Sequence, residues 1–269
     1  MALTLTYRGR TSLPVELEGL LPAMLRASAP SDIERLPIVC GNRTTALAEL
    51  FDVAGRADDE RVVFIGELAG VHGIGARLDR GTIRIEGSAG RHVGAGMRGG
   101  EIHVAGDVGD WAGAEMRGGT LRVDGSAANH AGAAYSGSPR GMSGGMLLIG
   151  GRAGCEVGHS MRRGTIAVGG DVGDAAALNM IAGTILVFGS TGRRSAAGMR
   201  RGTLFVGGAR PHLLPTFRST GVCRTHFLML YYEALRRRGF AVPPTLGTTL
   251  EMFSGDLLGG GKGEVLVAA

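Results

Sequence analysis

The side chains in this chain with chemistry to offer are seven histidines, three cysteines and a recurring arginine. Cys40, Cys155 and Cys223 are far apart and form no C-x-x-C pattern, so neither a structural zinc nor an iron–sulfur site is expected. His92 and His130 share one register of the repeat described below, with Trp111 midway between them. At the spacing of neighbouring strands they would lie about 10 Å apart, too far to ligate one metal. His72, His103, His159, His212 and His226 share no register. Asp107, Asp124 and Asp171 fall at strand ends and read as turn formers. Glycine-rich stretches such as Gly94-Ala95-Gly96 do not open a helix, so they lack the form of a phosphate loop. No nucleophile–base–acid set stands out, and no catalytic residue is assigned. What does recur is Arg98, Arg117, Arg162 and Arg200, with Arg163 and Arg201 directly after the last two. Stacked one above another, these would form a basic stripe. That stripe is either a solvated face or a docking surface for an acidic protein or polyanionic cofactor.

The element that must position these residues is a repeat. The pattern Gly-x-(Ile/Leu/Val)-x-(Val/Ile)-x-Gly starts at Gly81, Gly100, Gly119, Gly145, Gly164, Gly183 and Gly202, in steps of 19, 19, 26, 19, 19 and 19 residues. A fixed period of this length marks a solenoid, in which no repeat buries its apolar face alone. Positions 3 and 5, such as Ile166 and Val168, alternate onto one face of a short strand. The glycines at both strand ends allow the chain to turn. Small or aliphatic residues at positions 9 and 13 should also point inward. Met97, Met116, Met142, Met161, Met180 and Met199 share one register and read as an internal packing ladder. Nineteen is not a multiple of six, which disfavours the left-handed hexapeptide helix. The expected fold is an all-β solenoid, a right-handed parallel β-helix with 19-residue coils, about 34 Å long at ~4.8 Å per coil. The seven-residue excess falls in Tyr135–Gly141, and insertions in such folds project as loops on one face, often the binding face. Ser136, Ser138, Pro139 and Arg140 are therefore candidate partner contacts.

Three segments are expected: 1–60, a strand and helix lead-in; 61–208, the β-helix; and 209–269, a helix and an extended tail. In the first, Leu3–Tyr7 and Val15–Glu18 read as strands, Ser31–Glu34 has the form of a capping box, Leu36–Asn42 reads as strand and turn, and Thr44–Val53 is ambiguous. In the last, Thr225 is placed to cap a helix over Phe227–Arg238 with Phe227, Leu230, Tyr231, Ala234 and Leu235 on one face. Arg236, Arg237 and Arg238 suit its C-terminal dipole, and Gly239 its stop. This helix is expected to cover the open end of the solenoid. Gly259–Gly263 then reads as a hinge before Val265-Leu266-Val267, either a partner-gripping arm or a frayed terminus.

Composition agrees with this outline. The 49 glycines are periodic and so mark turns. No leader-like start and no ~20-residue apolar run is present, which points to a cytoplasmic protein off the membrane. The net charge of +5 is modest and aromatic residues make up only 5%, which argues against nucleic-acid binding. One lysine stands against 28 arginines, a skew typical of a GC-rich genome.

The repeat Gly-Thr-Ile-x-Val-x-Gly-(Ser/Asp)-x-Gly-x-x-x-Gly-x-x-Met-Arg is carried most fully by residues 81–99, 100–118 and 183–201. It resembles the glycine-repeat β-helix module shared by the C-terminal domain of glutamate synthase and the C subunit of formylmethanofuran dehydrogenase. The resemblance to the dehydrogenase's C subunit is closer and runs the full length, through Gly41-Asn42, Ser138–Met142 and Phe227–Arg238. Two relatives compete: the archaeal tungsten or molybdenum enzyme that reduces CO2, and the bacterial formyltransferase/hydrolase complex, which the arginine skew favours. The latter resemblance implies a complex that moves a formyl group from tetrahydromethanopterin onto a methanofuran-like carrier and releases formate. In such a complex this chain would be a non-catalytic scaffold beside hydrolase-like, formyltransferase and dehydrogenase-like subunits, binding no cofactor itself. Because methanofuran-type carriers have glutamate-rich tails, a second expectation is that Arg98, Arg117, Arg162 and Arg200 bind an acidic carrier tail.

Overall fold

The structure, a computed structural model, describes residues 2–9, 11–244 and 249–268. The N-terminal elements are β1 (Leu3–Tyr7), β2 (Val15–Glu16), α1 (Pro22–Leu25), α2 (Pro30–Glu34), β3 (Pro37–Cys40), β4 (Arg43–Ala46), α3 (Leu47–Leu50), β5 (Phe51–Ala54), β6 (Arg61–Ile65) and β7 (Val71–His72). The repeats contribute β8 (Thr82–Ile85), β9 (Glu101–Val104), β10 (Thr120–Val123), β11 (Ser143–Ile149), β12 (Arg163–Val168), β13 (Thr184–Val187) and β14 (Arg201–Val206). The C-terminal segment adds β15 (Arg218–Arg224), α4 (Phe227–Arg237), β16 (Thr249–Gly255) and β17 (Lys262–Ala268).

The chain is mostly β. A 13-stranded sheet runs in the order β15-β16-β17-β14-β13-β12-β11-β10-β9-β8-β6-β1-β5, and a four-stranded sheet in the order β4-β3-β2-β7. From β8 to β14 every neighbour is parallel, and position 3 pairs with position 3: Ile83, Ile102, Leu121, Leu147, Ile166, Ile185 and Leu204 form one ladder. A second ladder of single parallel bridges links Leu68, Ala89, Val108, Ala127, Ala153, Val172 and Thr191, most of them at position 9. The first ladder, the second as far as Val172, and the six methionines belong to one continuous core, with all six methionines fully buried. Each buried aliphatic side chain in such a core contributes about 1.5–3 kcal/mol relative to exposure.

The two glycines of the strand motif serve different ends. The first turns the chain: Gly202 has φ +96°, a conformation L side chains resist. The last is needed for stacking, since a Cβ on Gly208 would lie 2.6 Å from the carbonyl carbon of Gly189 one repeat earlier. The chain bends at both strand ends as expected, with positive φ at every first glycine and, among the last glycines, at Gly87 (φ +158°). Asp107 and Asp171 also reach across repeats: their Oδ1 atoms accept from the N–H groups of Ser126 (2.7 Å) and Ser190 (2.9 Å).

Position 4 of the strand decides what lies outside the sheet. It is polar in the first three repeats (Arg84, His103, Arg122) and apolar in the last four (Leu148, Ala167, Leu186, Phe205). The apolar half forms a second core with Leu266 and with Leu228, Tyr232 and Leu235 of α4. The helix thus covers the flank of the sheet and not its end. Its buried stripe is Leu228, Tyr232 and Leu235, one residue out of phase with the expected one, because Tyr232 docks between Phe188 and Phe205, 6.0 Å from each ring. Phe227 and Leu230 are exposed. The N-terminal cap position is His226 without a side-chain bond, so Thr225 does not cap the helix. At the other end Arg122 Nη1 donates to the Arg238 carbonyl at 2.8 Å, satisfying one of the helix's open acceptors.

The expected arm after the glycines is the next strand of the ladder. β17 pairs parallel with β14, Leu204 against Val265 and Val206 against Val267, and β16 and β15 continue the sheet antiparallel. Those strands, not α4, cover the last repeat. Near the N-terminus, α2 starts at Pro30 after Ala29 with no side-chain cap, so Ser31 is not a capping residue. Thr44–Val53 resolves into strand, one helical turn and strand. β6 pairs parallel with β8 at a 21-residue offset, Val62 against Ile83, slightly out of period as expected.

Candidate functional site: an arginine-lined edge with an anchored loop

The insertion begins with an aromatic residue that is held in place. The Tyr135 ring stacks on Trp111 at 4.9 Å, and Trp111 stacks on His130 at 4.2 Å. Tyr135 Oη lies 2.8 Å from His92 Nδ1. Burial, reinforced by the charge of Glu115, pushes the Tyr135 hydroxyl up to about 12. The phenol thus keeps its proton, and its hydroxyl and the His92 imidazole form one hydrogen-bonded pair whose direction follows the imidazole tautomer. Burial also holds His92 below its ordinary pKa, with nearby Arg91 acting in the same direction. His92, Trp111 and His130 all have left-handed backbone, φ 63°, 66° and 63°, which costs a non-glycine residue roughly 1–2 kcal/mol. Each is fixed there because its N–H donates to the next repeat, to the carbonyls of Asp110, Asn129 and Cys155 at 2.8–2.9 Å.

The loop that starts at Tyr135 overhangs the arginine register. Four hollows follow one another along this edge. The first, about 540 Å³, includes His92, Arg98, Glu115, Arg117 and Tyr135. The second, about 440 Å³, lies between Arg117 and the loop residues Ser138, Pro139 and Arg140. The third, about 850 Å³, gathers Arg140, Arg162, Arg163, Arg200 and Arg201 beside Tyr231. The fourth, about 1050 Å³, shares Pro139 and Arg200 and reaches Asp256 and Leu258. Arg117, Arg140 and Arg200 each line two successive hollows, so the four adjoin as an arginine channel of open hollows along the edge. Among the described residues none of Arg98, Arg117, Arg140, Arg162, Arg163, Arg200 or Arg201 makes an ion pair or a side-chain hydrogen bond, whereas Arg77 (to Glu18, 3.1 Å) and Arg122 (to Asp124, 2.7 Å) are paired. The third hollow, with five guanidiniums and no carboxylate in its lining, is where the local positive field is strong, whereas in the first Glu16, Glu18 and Glu115 offset Arg77, Arg98 and Arg117.

The four arginines selected by register are thus brought onto one edge, and Ser138, Pro139 and Arg140 join them. Ser136 is exposed and lines none of these hollows. Tyr135, at the mouth of the loop, is not singled out by the repeat pattern; its signal is an aromatic residue where the register otherwise carries methionine. His103 is instead engaged on the opposite polar flank, with Nε2 2.7 Å from Asp124 Oδ2. Among the described residues no cluster of three His, Cys, Asp or Glu side chains is placed to hold a metal, and no helix is long and apolar enough to cross a membrane.

Residues 65–219, more than half of the chain, match the model of the GXGXG motif. The chain belongs to the GXGXG motif family. Within it, two relatives from Methanococcus maripaludis, each the C subunit of tungsten-containing formylmethanofuran dehydrogenase 2, are 34% and 33% identical over 92 residues. That match spans 34% of this chain and 34% of each relative, about a third of their length. A longer likeness is to a chain in the X-ray structure of the formyltransferase/hydrolase complex (FhcABCD) from Methylorubrum extorquens in complex with methylofuran. There the identity is 38%, the TM-score 0.92, and 99% of both chains is covered. This GXGXG chain is homologous to both.

Proposed function

We propose that this chain is a non-catalytic scaffold subunit of a formyltransferase/hydrolase complex that transfers a formyl group between tetrahydromethanopterin and a methanofuran-like carrier and releases formate. The observation that carries the reading is the full-length, 38%-identical likeness to one chain of such a complex. The C subunit of a formylmethanofuran dehydrogenase is the second reading, supported by the shorter match to the two archaeal relatives. In this proposal the parallel ladders are walls of one right-handed solenoid over 61–208, and catalytic subunits of the cytoplasmic assembly dock on it. The chemistry is theirs. The test is purification of the native complex through a tag on this chain, with formyl-transfer and hydrolysis assays on the complex and on the chain alone. The complex should turn over and the chain alone should not. Activity of the rigorously purified chain would overturn the scaffold role.

The arginine channel gives the scaffold a second task. Arg98, Arg117, Arg162 and Arg200, extended by Arg140, Arg163 and Arg201, are suited to an acidic carrier tail lying along the edge. Unpaired guanidiniums in series support this reading, since each adds attraction without first breaking an internal salt bridge. Ser138, Pro139 and Arg140 would face a partner subunit over the same edge, with Ser136 at the exposed loop tip.

A further inference from the structure

Helix α4 carries two apolar stripes. The first, Leu228, Tyr232 and Leu235, is buried against the sheet. The second is Phe227, Leu230, Tyr231 and Ala234, spaced i, i+3, i+4 and i+7, which sets the four within an arc of about 100° around the helix axis. It runs for roughly 10 Å along the helix. This stripe is open to solvent: Leu230 is 70% exposed and Phe227 40%, with Tyr231 and Ala234 half-buried.

The open stripe runs into the third arginine hollow, and Tyr231 belongs to both. Its ring packs edge-on against Phe227 at 6.4 Å. Its hydroxyl pairs with that of Thr184 at 3.0 Å, which fixes Tyr231 as one wall of the hollow that holds Arg163 and Arg201. An occupant must therefore offer two things. It needs apolar side chains to bury Phe227 and Leu230, and carboxylates for guanidiniums that have no ion-pair partner among the described residues. The chain's own acids nearby are engaged. Glu233, on the polar side of the stripe, is held by Arg237, and Glu264 accepts from the Thr203 hydroxyl at 3.3 Å. The three- and four-residue spacing of the stripe suits the ridges of another helix. A second copy is the poorer occupant, because its stripe borders the same five guanidiniums and its Glu233 is likewise held.

We propose that the Phe227–Ala234 stripe is a docking ledge for an acidic amphipathic helix of another protein, with its apolar face on Phe227 and Leu230 and its flanking carboxylates entering the third hollow over Tyr231. The inference goes beyond the proposed function, since it needs neither the formyl reaction nor its carrier.

The test is fluorescence anisotropy on the full chain with two labelled probe peptides, a tandem repeat of Leu-Glu-Ala-Leu-Leu-Ala-Glu and its counterpart with lysine for every glutamate. In a helix the repeat sets its leucines on one face and its charges at the two borders of that face. The acidic probe should bind several-fold tighter than the lysine probe at low salt. Leu230→Ser and the double variant R163E/R201E alter exposed side chains, so their melting temperatures should match the wild type. Leu230→Ser should weaken the acidic probe several-fold, and R163E/R201E should reverse the preference. Equal binding of both probes, binding of neither, or a loss in R163E/R201E without one in Leu230→Ser overturns the proposal. So does self-association of the wild type that Leu230→Ser abolishes, which would make a second copy the occupant.

Discussion

Tyr135 and His92, 43 residues apart, are joined by a 2.8 Å hydrogen bond that ties the start of the insertion to a position two repeats earlier. Losing it in Tyr135→Phe should cost roughly 0.5–1.5 kcal/mol at pH 8. Burial holds the folded pKa of His92 below its ordinary value. For a group depressed on folding, the stability is complete above the unfolded pKa of about 6.5 and is lost as pH falls toward the folded value. Because burial acts on His92 with or without the phenol hydroxyl, wild type and Tyr135→Phe should both lose melting temperature from pH 8 to pH 5, with wild type above the variant throughout. A variant as stable as wild type at pH 8 would show that the hydrogen bond does not stabilise the loop.

The inner face of the strands gives a second expectation. Ile166 and Ile185 are fully buried neighbours in one ladder. Ile166→Asp or Ile185→Asp puts an unpaired carboxylate between repeats and should cost several kcal/mol. Thermal denaturation checks this, and wild-type stability in either variant would refute the assigned register.

Position 4 predicts opposite outcomes for one register. Phe205 is buried under α4, so Phe205→Ala should cost about 3–5 kcal/mol and loosen the helix. Arg84, half exposed and paired with Glu86, occupies the same position in the first repeat, and Arg84→Ala should change stability by at most about 1 kcal/mol. Chemical denaturation of both variants tests whether the helix covers only the later strands.

Much of the fold is legible in the chain because every rung repeats the same constraint. Period and glycine spacing place the ladder, and the alternation of Ile166 and Val168 places its inner face. The outer face is harder. The change at position 4 from Arg122 to Leu148 signals a covered flank, but the apolar spacing of the helix that covers it includes Phe227 and Leu230, which shift the apparent stripe by one residue. Tertiary docking of Tyr232 between two phenylalanines overrides that local pattern. The tail misleads for a related reason. Gly259–Gly263 looks like a hinge in isolation, and only the vacant edge of β14 makes Val265 and Val267 the next rung. At the site, repeat register aligns four arginines, whereas the arrival of Arg140 depends on a non-repeating loop whose anchor is a ring stack.

The loop itself should be dispensable for folding. Deleting Ser136–Arg140 removes no residue of the continuous core, so the melting temperature should fall little. Assembly with partner subunits should weaken, read as earlier dissociation on size-exclusion chromatography. An unchanged complex would leave the loop in solvent.

The arginine channel is tested by charge reversal. Arg162 and Arg200 line the same hollow and make no internal ion pair among the described residues, so Arg162→Glu with Arg200→Glu should leave folding intact. An anionic chain along the edge interacts with several guanidiniums at once, and salt screens that attraction over a Debye length of about 10 Å at 0.1 M. The double change should then raise the apparent KM for the carrier, or loosen an acidic partner, most strongly at low ionic strength. The effect should shrink as salt is added, because wild type loses the same attraction. A loss that persists unchanged at high salt would indicate damaged packing at the loop, and indifference of both carrier kinetics and complex stability would make the channel a solvated face.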